Sequence, residues 1–380
     1  MVENVEDETP SRLYVRKEHV PFLESRFRNF DSYLATQNPE NFAHFTRLFP
    51  CEFQDLFERI GPYLQHEPTH VAPISGQRRI FVYLRFVGHG YTFASLAEEL
   101  NIGKQNVADI VFEVTDAINN FMFSDAFPPL TREMLEDCSV KTQERYDYPR
   151  ATGFMDGKHV GIRKPKNAGS TYWNYKSFHS IILLAVCDCD YRFIAFDVGA
   201  PGRAGDAGVF RNSSIRTFFE EHDQLFPETT NLADVGPVQY HILVDGGFAQ
   251  GHRYIRPFPE PLATTASKRR FNKKLSGARR MIESSFGILC QRFAILQRDL
   301  QVEPDKASKL VTSTLVLHNL LARRQDLLEH VQRYEPSRNA PLPDRFAPLQ
   351  RVPVGGGTDS AKLARDRLVT HYDNLYGPLQ

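Results

Sequence analysis

The chain carries no net charge: 46 Lys and Arg against 46 Asp and Glu cancel over 380 residues. A long-range attraction to polyanions is therefore missing, and any grip on phosphate has to come from local clusters. Long hydrophobic runs are missing too. No stretch of about 18 apolar residues occurs, so no membrane span is expected. The N-terminus, Met1 to Pro10, is acidic without an apolar core and does not read as a secretory signal. Cysteine is scarce: five residues, at 51, 138, 187, 189 and 290. The Cys187-x-Cys189 pair has no second pair to complete a zinc site, so reduced thiols in an intracellular protein are expected. Neither Gly-x-Ser-x-Gly nor Gly-x-x-x-x-Gly-Lys-[Ser/Thr] occurs, which leaves serine-hydrolase and P-loop chemistry without support.

What is present is globular: 41% hydrophobic and 12% aromatic residues, in a length that suits two to three domains. Residues 1–26 read as a disordered acidic start. Apolar residues recur at helical spacing through 27–125, which predicts an all-helical domain. Inside it, Thr92–Leu100, the turn Asn101-Ile-Gly103 and a helix opening at Lys104 have the packed positions of a helix-turn-helix, with Ala97, Leu100, Ile102, Val107 and Val111 inward. Lys104, Gln105 and Asn106 would then be presented to DNA, with Asp109 an unhelpful neighbour. Residues 126–150 read as a polar linker.

From 151 the pattern changes to strands, predicting a mixed α/β domain over 151–332. Gly153–Lys164 reads as one strand, bending at Gly157. Ser180–Cys187 and Arg192–Val198 read as a hairpin across Asp188-Cys-Asp-Tyr191. A glycine-rich loop at 200–208 follows, then a short buried strand at His241–Val244. Residues 277–297 read as an amphipathic helix carrying Ile282, Phe286, Leu289, Phe293 and Leu296 on one stripe, and a last helix covers about 305–332. Residues 333–380 read as a Pro/Gly-rich tail, linker-like over 334–358, with a short helix near 359–375.

Three carboxylates stand in or beside apolar runs: Asp156 in Gly153-Phe-Met-Asp-Gly-Lys-His-Val160, Asp245 in Ile242-Leu-Val-Asp-Gly-Gly247, and Glu283 in Arg279-Arg-Met-Ile-Glu283. Lone buried carboxylates are costly to ionise, and three that converge need a shared cation, which is how a metal-dependent nuclease or transposase is built. Hard oxygen donors favour Mg2+ or Mn2+ over zinc. Taken singly, each Asp-Gly is a plain turn and Arg279 with Glu283 a plain helix pair. Two basic groups flank the acids: Lys268-Arg-Arg-Phe-Asn-Lys-Lys274 with Arg279 and Arg280, and Lys158, Arg163, Lys164, Lys166 and Lys176.

Residues 151–297 resemble the DDE superfamily endonuclease domain of Harbinger-type transposases and the nucleases derived from them. The resemblance rests on the three acidic segments, Asn174-Tyr-Lys-Ser-Phe-His-Ser180, Val198 to Ser213, Phe271-Asn272, Arg292-Phe-Ala-Ile-Leu296 and the closing Leu317-His-Asn319. It implies an RNase H-like fold preceded by a helix-turn-helix-like region. It implies Asp156, Asp245 and Glu283 as catalytic triad and metal ligands for two divalent ions. It places Asp206 at the family's acidic position in the loop after the hairpin, as an accessory ligand or a structural acid, and as the second choice for the middle carboxylate. Lys158, Lys176, Arg279 and Arg280 would neutralise phosphate. The chain departs from the family pattern at Lys158, Gly205, Phe248, Ser284, Ile288 and Cys290. The resemblance further implies double-stranded DNA as substrate, a Myb-like DNA-binding partner, a homodimer as an open option, and a nuclear location with room for a cytoplasmic pool. A domesticated, non-cutting DNA- or protein-binding component is the competing expectation.

Overall fold

The computed structural model describes residues 25–36, 38–66, 73–322, 343–350 and 357–377; for Asp206 and Ala207 the backbone alone is described. The chain divides into two compact units, residues up to 86 with 91–117, and 87–90 with 118–380.

The first unit is helical: α1 (Arg28–Thr36), α2 (Pro39–Thr46), α3 (Pro50–Ile60), most of α4 (Gly76–His89), α5 (Phe93–Leu100) and the body of α6 (Lys104–Phe121). Its core is aromatic. Phe30 stacks on Phe81 at 4.5 Å between ring centroids and leans on Phe42 and Phe53. The α5–α6 corner follows from local chemistry. Thr92 caps α5, its Oγ accepting from the Ser95 N–H at 3.0 Å, and Asn101 ends the helix with φ 51°, a conformation asparagine tolerates better than most residues. Leu100, Ile102, Val107 and Val111 are buried, as their spacing predicts.

The second unit is a mixed sheet with helices against it. Its strands are β1 (Ala151–Gly161), β2 (Ser180–Cys187), β3 (Phe193–Pro201), a small side pair β4 (Thr230–Asn231) and β5 (Pro237–Val238), then β6 (His241–Leu243), β7 (Tyr254–Ile255) and β8 (Phe346–Pro348). The sheet order is β3-β2-β1-β6-β7. The first three strands are antiparallel, while β6 and β7 run parallel to β1. β1 is central and wholly buried, and its far edge is shared: β6 pairs residues 151–154, β8 pairs 158–160. The helices are α7 (Phe123–Ala126), α8 (Arg132–Tyr146), α9 (Asp206–Arg211), α10 (Ser214–Glu221), α11 (Ala266–Arg292), α12 (Pro304–Ala322) and α13 (Asp359–Tyr376).

Period-two alternation divides the labour between the faces of the sheet. Met155, Ile182, Leu184, Ile242 and Val244 join Phe210, Phe219 and Phe248 in one apolar core. Phe154, Asp156 and Lys158 point the other way, and the last two meet side chains of α11.

Several readings need correcting. The presumed linker 126–150 contains the 15-residue α8. Its surface is too polar for the apolar period to show, but Leu135 and Cys138 are buried, and Lys141 and Arg145 tie it to the hairpin through Asp190 at 2.7 and 2.9 Å. The presumed linker 334–358 supplies β8. α11 starts 11 residues earlier than expected, at a Thr265 cap, because Phe271, Leu275 and Ala278 extend the apolar stripe beneath the basic run. β1 does not bend at Gly157; it continues to Gly161, and the missing side chain makes room for Leu349, with which an added Cβ would collide. The expected helix to 332 ends at Ala322 within the described residues, and 323–332 lie outside them, as does the acidic N-terminus.

Asn319 explains why the closing Leu-His-Asn segment matters. Its amide accepts from the Phe193 N–H at 2.9 Å and donates to the Phe193 and Ala126 carbonyls at 2.7 and 3.1 Å. It thereby satisfies backbone groups where the β2–β3 register shifts. Asn319→Ala should cost about 3 kcal/mol of stability, because buried backbone groups lose their partner; urea unfolding would read it.

Three buried histidines set an acid limit. Burial pushes His159, His241 and His318 down to about 4, below their ordinary 6.5. A folded pKa below the unfolded one means that the unfolded chain takes up protons first as pH falls. Stability should therefore be full above about pH 6.5 and decline towards pH 4, by up to about 1.4 kcal/mol per pH unit for each histidine. Thermal melts across about pH 4–7.5 would check the slope.

Candidate active site

Register brings the first two acids together. Phe154 of β1 is paired with Leu243 of the parallel strand β6. Two residues further along each strand stand Asp156 and Asp245, so they share a face where the two strands part. Neighbouring strands lie about 4.8 Å apart, which makes these carboxylates near neighbours. α11 crosses that face and delivers Arg279 and, one turn later, Glu283.

Arg279 is the hub. One guanidinium nitrogen lies 2.9 Å from Glu283 Oε1 and 3.7 Å from Asp245 Oδ1. Burial works against its charge, but the carboxylates of Asp156, Asp245 and Glu283 together outweigh burial and hold its pKa above the ordinary arginine value. Asp156 has a second cation. Lys158, two residues on and on the same face, places Nζ 2.5 Å from Asp156 Oδ2 and 5.3 Å from the centre of the Phe286 ring. The Lys158 side chain is 3% exposed, against 12% for Asp156, 13% for Asp245 and 44% for Glu283. The acids thus run from a buried end at Asp156 to an open end at Glu283. Gly246, beside Asp245, has nothing within 4 Å of where a Cβ would stand, so the backbone there is open on that side.

The other expected site residues divide. Arg280 is exposed on α11. Lys158 and Arg279, expected to neutralise phosphate, are instead committed to the acids, because burial beside a carboxylate leaves them no other role that costs less. Lys176 is exposed, and its charge acts on His159, which alternation places on the opposite face of β1 from Asp156. Asp206 opens α9, and its side chain lies outside the described residues. Lys104, Gln105 and Asn106 are exposed in the first turn of α6 in the other unit, where Gln105 donates to Asp109 at 2.7 Å. Two roles escaped the sequence reading. Phe286 roofs Lys158, and Asn174 holds its own loop: its Oδ1 accepts from the Lys176 and Phe178 N–H groups, and its Nδ2 donates to Ser180 Oγ, which meets His159 Nδ1 at 3.0 Å.

Among the described residues no three His, Cys, Asp or Glu side chains are grouped tightly enough to hold a metal ion. The chemistry of the donor set nonetheless fits one. Asp245 and Glu283 share Arg279, and Asp156 is held by Lys158; all three are hard oxygen donors of the kind Mg2+ or Mn2+ takes.

Residues 155–319 match the DDE superfamily endonuclease family. Over this region the chain is similar to the Harbinger transposase-derived DDE endonucleases. It is 26% identical over 276 residues to the Mus musculus protein named "Putative nuclease HARBI1", covering 72% of this chain and 75% of that one. The Homo sapiens protein of the same name is 25% identical over 283 residues, again 72% and 75%. "Protein ALP1-like" of Arabidopsis thaliana is 22% identical over 257 residues, 67% of this chain and 62% of that one. No solved structure matches. Among the described residues no helix is long and apolar enough to cross a membrane.

Proposed function

We propose that the chain is a divalent-metal-dependent DNA nuclease of transposase type, with Asp156, Asp245 and Glu283 as its catalytic carboxylates on an RNase H-like domain. The observation that carries this reading is that Asp245 and Glu283 meet on the Arg279 guanidinium at 3.7 and 2.9 Å, while Asp156 stands on the strand paired with the one that leads to Asp245. The mixed sheet, with a long central β1 flanked by antiparallel β2 and β3 and by parallel β6, supports the RNase H-like assignment.

Asp156, Asp245 and Glu283 would hold Mg2+ or Mn2+, which supplies Lewis acidity to a phosphodiester oxygen and a nucleophilic oxygen at neutral pH. The remaining work falls to the chain. Asp156 is fixed by Lys158 and the walls of β1, so its carboxylate is oriented before anything binds. Gly246 leaves space for a sugar-phosphate backbone to reach Asp245. Glu283, the most exposed acid, closes the open side. Arg280, one residue beyond Arg279 on the exposed face of α11, can contact a phosphate. Double-stranded DNA as substrate, help from a Myb-like partner and a nuclear location accompany this reading. Nicking of supercoiled plasmid in Mg2+ or Mn2+, with EDTA as the blank, tests it; no metal-dependent nicking, with a candidate partner protein added, would sink it.

A further inference from the structure

We propose that the first half of α11 forms a track for the phosphate backbone of duplex DNA, leading to the carboxylates from one side. A groove of about 690 Å3 runs along this part of the helix, walled by Tyr146 of α8 and Tyr376 of α13. Five cations line it, Arg269, Arg270, Lys273, Lys274 and Arg280, and no carboxylate does.

Two of the five are occupied by the fold. Lys274 pairs with Asp147 at 2.5 Å, and Arg270 donates to the carbonyls of Tyr372 and Gly377 at 2.9 Å. Arg269 is exposed and, among the described residues, donates to neutral carbonyls, those of Ala263 and Thr264. Lys273 and Arg280 are exposed and have no acidic partner among the described residues. Arg269, Lys273, Gly277 and Arg280 are spaced four, four and three apart, so they lie on one strip of the helix. At 1.5 Å per residue the strip is roughly 16 Å long, enough to follow a few successive phosphates of one strand. Glu283 follows Arg280 by three residues on the same side.

Gly277 is the independent pointer to a ligand. Glycine weakens a helix interior, yet one stands in the middle of this strip. Nothing lies within 4 Å of the place its Cβ would take. No contact among the described residues demands a glycine there, whereas a backbone lying in the groove would. A strip of cations with an open floor, leading towards the carboxylates proposed to cut phosphodiesters, suits a nucleic-acid backbone. The inference rests on the nuclease reading only for its choice of duplex DNA as the polyanion.

The test is anisotropy of a labelled 30-base-pair duplex titrated with the full chain in EDTA, so that binding is read with cleavage switched off. Arg269→Glu with Lys273→Glu should weaken binding at least about tenfold, and Arg269→Gln with Lys273→Gln should lower the slope of log affinity against log salt by about two. Gly277→Glu should also weaken binding, although it replaces a poor helix former with a good one, so unfolding does not explain a loss. Lys362→Glu, an exposed change outside the groove, should have a small effect. Unchanged affinity and slope in the groove variants, or no duplex binding by the wild type, overturns the track. The nuclease reading fails separately: groove-dependent binding with no metal-dependent nicking leaves the track standing, while nicking with groove-independent binding removes the track alone.

Discussion

Asp156→Asn is expected to lower metal-dependent plasmid nicking by at least about a hundredfold, the scale on which one preorganised electrostatic element matters in an active site. Asn keeps the shape and one acceptor oxygen but not the charge that faces Arg279 and would face a metal. The loss should appear in kcat rather than in duplex affinity, because Asp156 is buried at the closed end of the acid row. Asp245→Asn and Glu283→Gln should lose activity as well, since the three acids act on one point. If all three variants cut as well as wild type, the chemistry lies elsewhere and the domesticated, non-cutting reading returns.

The same substitution should also destabilise the fold, by about 3 kcal/mol, because it leaves Lys158 buried without its counter-charge. Lys158 has little alternative: its side chain is 3% exposed, and beyond Asp156 its ammonium lies over the Phe286 ring. Lys158→Met should cost less, since Asp156 keeps the nearby charge of Arg279 and some solvent. Asp156→Asn combined with Lys158→Met should recover most of the lost stability while remaining inactive. Urea unfolding of the four proteins closes the double-mutant cycle. A coupling below about 0.5 kcal/mol would show that the two charges do not depend on each other. The cycle also separates a catalytic loss from a folding loss, which the single variant cannot do.

Much of this was legible from local chemistry. The α5–α6 corner follows from Thr92, Asn101 and a row of apolar residues. The hairpin follows from two apolar strands across Asp188, whose Oδ1 accepts from the Asp190 and Arg192 N–H groups at 2.8 and 3.0 Å. That Asp156 and Asp245 belong together was suggested by the resemblance; the β1–β6 pairing that sets their register is not written in either strand's pattern, because both are buried throughout. Other features were hidden because their cause is distant. α8 is too polar for its buried side to show, and it is held by an aspartate in another element. β8 is three residues in a proline-rich stretch, and only the free edge of β1 makes it a strand. Lys158 looked like a surface cation because its type is almost always exposed; its burial is set by α11, which arrives more than a hundred residues later.

The shared edge of β1 has a consequence for how the chain is made. β2 follows β1 closely, but β8 pairs with β1 across roughly 190 residues of sequence, a separation that slows assembly. At about 5–20 residues per second a ribosome takes about 10–40 s to cover that distance. Throughout that interval the half of β1 next to Asp156 has an open edge, the kind of strand that recruits other chains. A polypeptide halted before Phe346 keeps that edge for good. Nascent chains of this protein should therefore lean on chaperones until the last strand emerges, and C-terminal truncation should show itself first as aggregation.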